Sequence, residues 1–148
     1  MNRIRSGILR VLVGAALVAL LAAPAFGGVA TGACRDGKSS ANFATYYSAT
    51  SDGWNKVDWF QWILRNPNGL GNKSNVSIRH YQNVDNWPDT LKYSWDSQDN
   101  IKPNVTYIHS PTSPARTVKG KWAHTRYGFV FDNSGPDDKC NADTDNFR

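Results

Sequence analysis

The chain has 148 residues, of which 40% are hydrophobic, 12% aromatic and 20% charged, and its formal net charge is +5. This length predicts one domain, and six Trp and six Tyr supply more apolar surface than disordered chains carry. Only two Cys are present, which excludes a small domain held by many disulfides and a four-cysteine zinc site. All twelve acidic residues are Asp, so every candidate carboxylate is the shorter one.

Residues 1–25 have the pattern of a secretory signal peptide. Three Arg precede an apolar run at 11–23, and the tripeptide Ala-Pro-Ala at 23–25 is a small-residue cleavage signal. The run is shorter than the roughly 20 residues that cross a bilayer, which favours export over an N-terminal anchor. Without this segment the net charge falls to +2, because it holds three basic residues and no Asp. We expect a secreted, extracellular protein without membrane insertion, and so small a charge argues against a nucleic-acid partner.

Residues 26–42 are rich in Gly, Ala and Ser, which predicts a flexible leader before a domain at 43–148. Cys34 lies in this leader and Cys140 lies near the end of the chain. In an oxidising compartment the two are expected to form one disulfide that joins the ends of the mature chain. The alternative, a catalytic thiol, requires a reduced Cys beside a His.

Short runs of alternating apolar and polar residues follow the leader, with turn residues between them. This spacing predicts an all-β fold, a single antiparallel β-sandwich or a small barrel. The predicted strands cover residues 43–49, 57–64, 76–81, 91–95, 105–109, 118–122 and 127–131.

The segment 57–64 also fits one face of a short helix capped by Ser51 or Asp52. Its Trp, Val, Phe and Ile content favours a strand. Such a strand is apolar on both faces, which indicates either a central position in the sandwich or a face that meets a partner.

The three His residues, His80, His109 and His124, are the main candidates for acid–base catalysis, and nothing in the sequence selects Asp58 or Asp132 as a base. A small nuclease needs one His as base and another as acid, beside cations that stabilise the transition state. Their spacing gives no reason to expect convergence.

The Asp residues around Cys140 lack the central Gly and the final Glu of a calcium loop. The sequence therefore predicts no metal and no cofactor.

Aromatic and basic residues carry the strongest signal for binding. Trp54 and Trp87 flank turn residues, and exposed Trp side chains anchor protein interfaces or stack on sugars. Alternation along 116–126 predicts a strand with Lys119 and Lys121 on one side, and Arg126 extends this basic character. These five residues are the candidate binding residues. The alternative for the Lys residues is the protection of an edge strand against aggregation.

The segment 127–140, Tyr-Gly-Phe-Val-Phe-Asp-Asn-Ser-Gly-Pro-Asp-Asp-Lys-Cys, resembles the close of small secreted actinobacterial β-proteins. In these proteins an aromatic strand runs into an Asp-x-Ser-Gly turn and a Cys. Some of them look like subunits of secreted antibacterial toxin assemblies, where one serves as an adaptor between a lectin-like subunit and a large toxin stalk. The resemblance implies a partner-binding role without catalysis, and it carries over no catalytic residue.

These observations lead us to expect a secreted, non-enzymatic binding or adaptor module that recognises a protein partner or a cell-surface glycan. Two alternatives remain open. One is a small secreted His-dependent nuclease or toxin, and the other is a carbohydrate-binding module whose Trp side chains stack on sugar rings.

Overall fold

The computed structural model of the protein describes residues 27–148, so the predicted signal peptide at 1–25 lies outside the described residues. This part of the chain contains nine strands and no helix, which confirms the expected all-β class. It accordingly has no helix of the length and apolarity needed to span a membrane. The strands are β1 (Gly28–Asp36), β2 (Ser39–Ala49), β3 (Trp54–Arg65), β4 (Asn75–Gln82), β5 (Thr90–Asp96), β6 (Thr106–His109), β7 (Arg116–Val118), β8 (Ala123–Phe131) and β9 (Asp138–Asp143).

The strands form two antiparallel sheets that pack face to face as a sandwich. Sheet I has the order β1-β2-β3-β6, and β7 also pairs with β3, beyond the end of β6. Sheet II has the order β5-β4-β8-β9. The predicted strand at 57–64 is confirmed and lies in the middle of sheet I as β3.

The core lies between the sheets and consists of the alternate side chains of each strand. Phe60 and Leu64 of β3 face inward from sheet I, while Tyr127 of β8 faces inward from sheet II, and all three are fully buried. Phe43 of β2 stacks on Tyr127 across the sandwich, with ring centroids 4.4 Å apart. Tyr127 Oη donates a hydrogen bond of 2.7 Å to the carbonyl of Ala44, and burial raises the pKa of this phenol. The two sheets are thus joined by a ring stack and a buried hydrogen bond.

The predicted flexible leader at 26–42 is wrong, because most of that segment is ordered sheet. Residues 28–36 form β1, which pairs along its whole length with β2, so the domain begins at β1 and not at residue 43. The Gly content that indicated flexibility has a packing cause at Gly32. A Cβ added there would overlap the ring of Phe43, so only Gly lets the backbone approach this ring.

The predicted basic strand at 116–126 is also corrected. The structure ends β7 at Val118 and begins β8 at Ala123, with a tight turn between them. Gly120 has φ +83°, a conformation that favours Gly, and Lys121 N donates to the carbonyl of Val118. Lys119 and Lys121 therefore lie on a turn and not on one side of a strand. Sequence analysis also did not predict β9 in the Asp-rich segment near the end.

The two long sides of the sandwich are closed differently. On the disulfide side, β1 faces β9 and the predicted Cys34–Cys140 bond is confirmed. Lys139 N donates to the Asp36 carboxylate at 2.9 Å, and a backbone hydrogen bond joins residues 145 and 31 at 2.9 Å. A disulfide, one backbone hydrogen bond and one hydrogen bond from a backbone N–H to a carboxylate therefore join β1 to β9 and the segment after it.

The aromatic side lies between β5 and β6 and is filled by ring stacking. His109 stacks on Trp95 with centroids 4.0 Å apart, and its Nε2 lies 2.6 Å from Tyr93 Oη. Trp62 stacks on Tyr107, but its buried indole nitrogen has no hydrogen-bond partner in the described chain. Side chains thus make the contacts between β5 and β6, and the connecting segment 101–104 adds backbone hydrogen bonds from Ile101 N to Ser74 O and from Asn104 N to Leu64 O.

The segment 110–115 interrupts the edge of sheet I on the aromatic side. It contains Pro111 and Pro114, which have no backbone N–H for pairing, and it separates β6 from β7. Only Val57 of β3 bonds to it, by donating its N–H to the carbonyl of Ala115 at 2.9 Å. On its outer edge, β3 therefore pairs with two short strands, β6 and β7, in place of one continuous strand.

Candidate binding surfaces

The three His residues do not share a site. His80 is inside the sandwich, where its Nδ1 forms a hydrogen bond of 3.0 Å with Thr125 Oγ1 and its Nε2 is buried without a partner in residues 27–148. Burial lowers the pKa of His80 to about 4, so the ring is neutral at pH 7. A buried imidazole of this kind fills the core and has no access to a substrate.

His109 and His124 lie in two further environments. His109 is part of the ring stack on the aromatic side, where burial lowers its pKa. His124 lies on the outer face of sheet II but is buried there, with Nδ1 2.8 Å from Asn83 Oδ1 and Nε2 4.0 Å from a carboxylate oxygen of Asp143. Phe60 lies between His80 and His109, 6.5 and 6.2 Å from their centroids. The three imidazoles are therefore too far apart in the fold to act as general acid and general base on the same substrate.

Potential metal ligands are equally scattered. Nowhere within residues 27–148 do three or more His, Cys or Asp side chains form a group that could hold a metal ion. The Asp residues of the C-terminal segment are used in other ways. Asp138 accepts a hydrogen bond from Ser39, and Asp143 pairs with Arg126.

Four of the five predicted binding residues lie at one end of the sandwich. We call this the loop end; it comprises residues 50–53, 83–89, 119–122 and 144–148 with the adjoining strand ends. Hydrogen bonds tie three of its loops together, because Lys119 N donates to Gly53 O at 2.9 Å and Asn83 N donates to Trp122 O at 2.8 Å. Trp54, Trp87, Lys119 and Lys121 thereby share one end, although they are far apart in sequence.

The Trp side chains of the loop end differ in exposure. Trp87 is 75% exposed, the highest value among the large apolar residues of the described chain, and Trp54 is half-buried beside Val118. Trp122, which sequence analysis did not single out, is 46% exposed. The guanidinium of Arg148 lies 4.5 Å from the centre of its ring, a cation–π contact. One ring face of Trp122 is therefore covered.

Arg126, the fifth predicted residue, lies away from the loop end on the outer face of sheet II. Its guanidinium makes two hydrogen bonds of 2.9 Å to the carboxylate of Asp143 on β9. This bidentate pair raises the pKa of Arg126 and lowers the pKa of Asp143. The charge of Arg126 is thus balanced inside the molecule.

A second surface, which sequence analysis did not assign, is the outer face of sheet I. Its eleven central side chains form three rows across the strands, and none of them is charged. We call this the uncharged face. Its rows in register are Trp59, Tyr46 and Val29; then Ile108, Gln61, Ala44 and Thr31; then Thr106, Ile63, Asn42 and Ala33.

The uncharged face is uneven. Ile108 is 63% exposed and stands out at the β6 edge, and Val29 is 50% exposed at the β1 edge. Between them lies a shallow depression of about 600 Å³ over the small side chains of Thr31, Ala33 and Ala44, and Asp145 of the loop end also lines it. The sequence signal for this surface was the strand at 57–64 with two apolar faces, since one of these faces lines the core and the other is this one.

The outer face of sheet II is charged over the corresponding area. Arg79 makes two hydrogen bonds of 2.9 Å to Asp96 on β5, and Arg126 pairs with Asp143 on β9. The two Arg residues are register partners on neighbouring strands, and each is neutralised by an Asp of the outer strand on its own side. The outer face of sheet II thus carries paired charges, whereas the three rows of the uncharged face carry only neutral polar and apolar side chains.

Comparison of the chain with models of protein families, with curated proteins and with solved structures finds no match.

Proposed function

We propose that this protein is a secreted, non-catalytic binding module that contacts a protein partner through the loop end. The observation that carries the proposal is Trp87, three-quarters exposed on a loop beside a turn with two free-standing Lys residues. An exposed Trp on a protruding loop is the residue type most typical of an interface hot spot. The resemblance of residues 127–140 to adaptor-type proteins adds the expectation that the partner is another subunit of a secreted antibacterial assembly.

The placement of the His side chains supports binding over catalysis. A His-dependent nuclease requires two imidazoles and a cation around one phosphate. Here one imidazole is in the core, one is stacked against Trp95, and the third lies between carboxylates on sheet II. Carboxylates beside His124 repel a phosphate, which further weakens the nuclease alternative.

Site-directed photo-crosslinking tests the proposal at the loop end. A photoreactive amino acid replaces Trp87 in one variant and Ser134, exposed in the turn between β8 and β9, in a second. Each variant is illuminated in the culture fluid of the producing cells, and the adducts are identified by mass spectrometry. We expect one protein to be attached at position 87 and absent at position 134.

The purified partner then gives a quantitative measurement. We expect Trp87→Ala to weaken its binding at least about tenfold in calorimetry, as for a hot-spot Trp. The control is Val105→Ala, an exposed apolar residue outside the loop end, which should leave the affinity unchanged. An unchanged affinity in Trp87→Ala, or the same adducts at both positions, contradicts the proposal.

A glycan partner is the second candidate, and one feature favours it. The side chain of Trp87 is 75% exposed and stacks on no other ring of the described chain, so it offers open ring surface to a sugar. Cell-wall glycans should then quench Trp fluorescence in the native protein and not in Trp87→Ala.

A further inference from the structure

We propose that the cleft on the aromatic side binds a short, uncharged sugar. The cleft opens between β5 of sheet II and β6 of sheet I and has a volume of about 480 Å³. This volume lies within the range of roughly 300–1,000 Å³ that is usual for small-ligand sites. The inference goes beyond the proposed function, because residues outside the loop end form the cleft. It rests on the rings, the amides and the charge of the cleft.

Aromatic rings form the walls of the cleft. Trp95 of β5 lines it from sheet II and Tyr107 of β6 lines it from sheet I, and both side chains are half-buried. Part of each ring therefore remains accessible. The position of Tyr107 is fixed, because its Oη accepts a hydrogen bond of 2.9 Å from Lys102 N. Apolar ring surface of this kind packs against the C–H groups of a sugar ring.

Trp62 contacts both of these rings and supplies a hydrogen-bond donor. Its ring centroid lies 5.9 Å from that of Tyr107 and 5.7 Å from that of Trp95. The side chain of Trp62 is only 2% exposed, yet its indole N–H has no acceptor within residues 27–148. A buried donor without an acceptor is unfavourable. An oxygen atom of a molecule bound in the cleft would supply the missing acceptor.

Two exposed amide side chains, those of Gln98 and Asn100, also line the cleft. The loop that carries them is fixed at both ends by backbone hydrogen bonds to the start of β4, from Ser97 N to Val76 O at 2.9 Å and from Ile101 N to Ser74 O at 3.0 Å. An amide both donates and accepts hydrogen bonds, as a sugar hydroxyl does. A loop that is already fixed loses little freedom when a ligand binds.

The cleft carries no unbalanced charge. Asp96 is the one formally charged residue among those that line it in the described chain, and its carboxylate accepts two hydrogen bonds of 2.9 Å from Arg79. His109 is neutral at pH 7, because burial lowers its pKa. A charged ligand would therefore leave water without gaining an opposite charge. Aromatic rings together with neutral donors and acceptors fit an uncharged sugar.

Nuclear magnetic resonance of the isotope-labelled mature protein tests the inference. Cellobiose, maltose, lactose and chitobiose are each added up to about 20 mM, which covers millimolar Kd values. We expect at least one of these disaccharides to shift the indole signals of Trp62 and Trp95 and the amide signals of residues 97–101. The indole signals of Trp87 and Trp122 should not move, which distinguishes this site from the loop end.

Two variants measure the contribution of the amides. Gln98→Ala and Asn100→Ala should each weaken the binding of that disaccharide at least about fivefold, because each removes a hydrogen-bonding group. Both residues are exposed, so neither variant disturbs the core. The matched control is Asn72→Ala, which removes an exposed amide from the loop between β3 and β4 and should bind like the native protein.

The inference is overturned if none of the disaccharides shifts the signals of the cleft, if only the indole signal of Trp87 moves, or if neither amide variant weakens binding. Phenol is added in parallel as an uncharged aromatic probe. Binding of phenol without binding of any disaccharide would assign the cleft to aromatic compounds and would also overturn the inference. Trp87→Ala should leave the disaccharide affinity unchanged, so the loop-end proposal can fail while this one stands.

Discussion

The two sheets are joined along both long sides of the sandwich, but by different interactions on each side. On the disulfide side, β1 and β9 are joined by Cys34–Cys140 and by a hydrogen bond from Lys139 N to the Asp36 carboxylate, and Asp145 N donates to the carbonyl of Thr31. On the aromatic side, β5 and β6 are joined by rings that stack around His109. The first side is restrained even in the unfolded chain, whereas the second holds only while its rings are packed.

This difference indicates where the molecule opens first. The aromatic side leaves the buried indole nitrogen of Trp62 unpaired, which costs about 1–3 kcal/mol, and its outer strands are the two short pieces β6 and β7. Both His residues whose pKa is lowered lie away from the disulfide, on β4 and β6. Three predictions test the comparison, and they are given in order of decreasing effect.

Removal of the disulfide should have the largest effect. Cys34 and Cys140 are 106 residues apart, and in the chain-entropy model a loop of this length stabilises the fold by about 4–5 kcal/mol. The double variant Cys34→Ser with Cys140→Ser should lose about this much in urea unfolding. The native protein in a reducing agent is the control and should lose a similar amount. A loss below about 1 kcal/mol would mean that the hydrogen bonds of this side suffice.

Acid should have the second largest effect. His80 has a pKa of about 4 in the folded protein against an ordinary value of 6.5, so between these values the unfolded chain binds the proton more readily. The contribution of His80 to the free energy of unfolding is therefore fully present above about pH 6.5. It falls by about 3 kcal/mol as the pH approaches 4. The lowered pKa of His109 acts in the same direction.

The variant His80→Gln isolates this contribution, because its side chain stays neutral. Whatever its stability at pH 7, its unfolding free energy should depend much less on pH between 6.5 and 4. A pH dependence equal to that of the native protein would show that the acid effect arises elsewhere.

Truncation of one ring should have the smallest of the three effects. Trp95 is half-buried and contacts His109 and Trp62, with centroids 4.0 and 5.7 Å away. Trp95→Ala should cost about 2 kcal/mol, less than the loss of a fully buried ring, because part of its surface already meets water. Amide exchange should accelerate in β6 and stay unchanged in β9. Equal acceleration in both strands would contradict the independence of the two sides.

Sequence patterning predicted the strands whose inward side chains are large. The strands β2, β4, β5 and β8 alternate large inward residues with polar or small ones, so their positions follow from a period of two, and β3 follows from its β-branched and aromatic residues. The strand β1 does not, because its inward residues Ala30, Gly32 and Cys34 are small enough to lie against Phe43 and Tyr47. A flexible linker has the same composition of small residues. Only the aromatic rings that β1 packs against distinguish this strand from a linker.

The candidate surfaces were predictable to different degrees. Turn residues beside Trp54 and Trp87 indicated exposed rings, but their convergence with Lys119 and Lys121 depends on three loops meeting at one end. For the uncharged face, the sequence left two alternatives open. A strand that is apolar on both faces has the same sequence whether its second face is buried in the protein or exposed on the surface. The pairing of Arg126 with Asp143 depends on β9. The strand character of β9 was hidden by its charged, Asp-rich sequence.

The interrupted border of sheet I limits how copies of the chain can aggregate. Growth into a fibril requires an incoming strand to pair along a continuous run of free N–H and C=O groups. At this border such a strand meets four residues of β6, then a bulge with two prolines, then three residues of β7. A strand of another molecule therefore cannot pair continuously along this border, and ribbon-like polymerisation stops there.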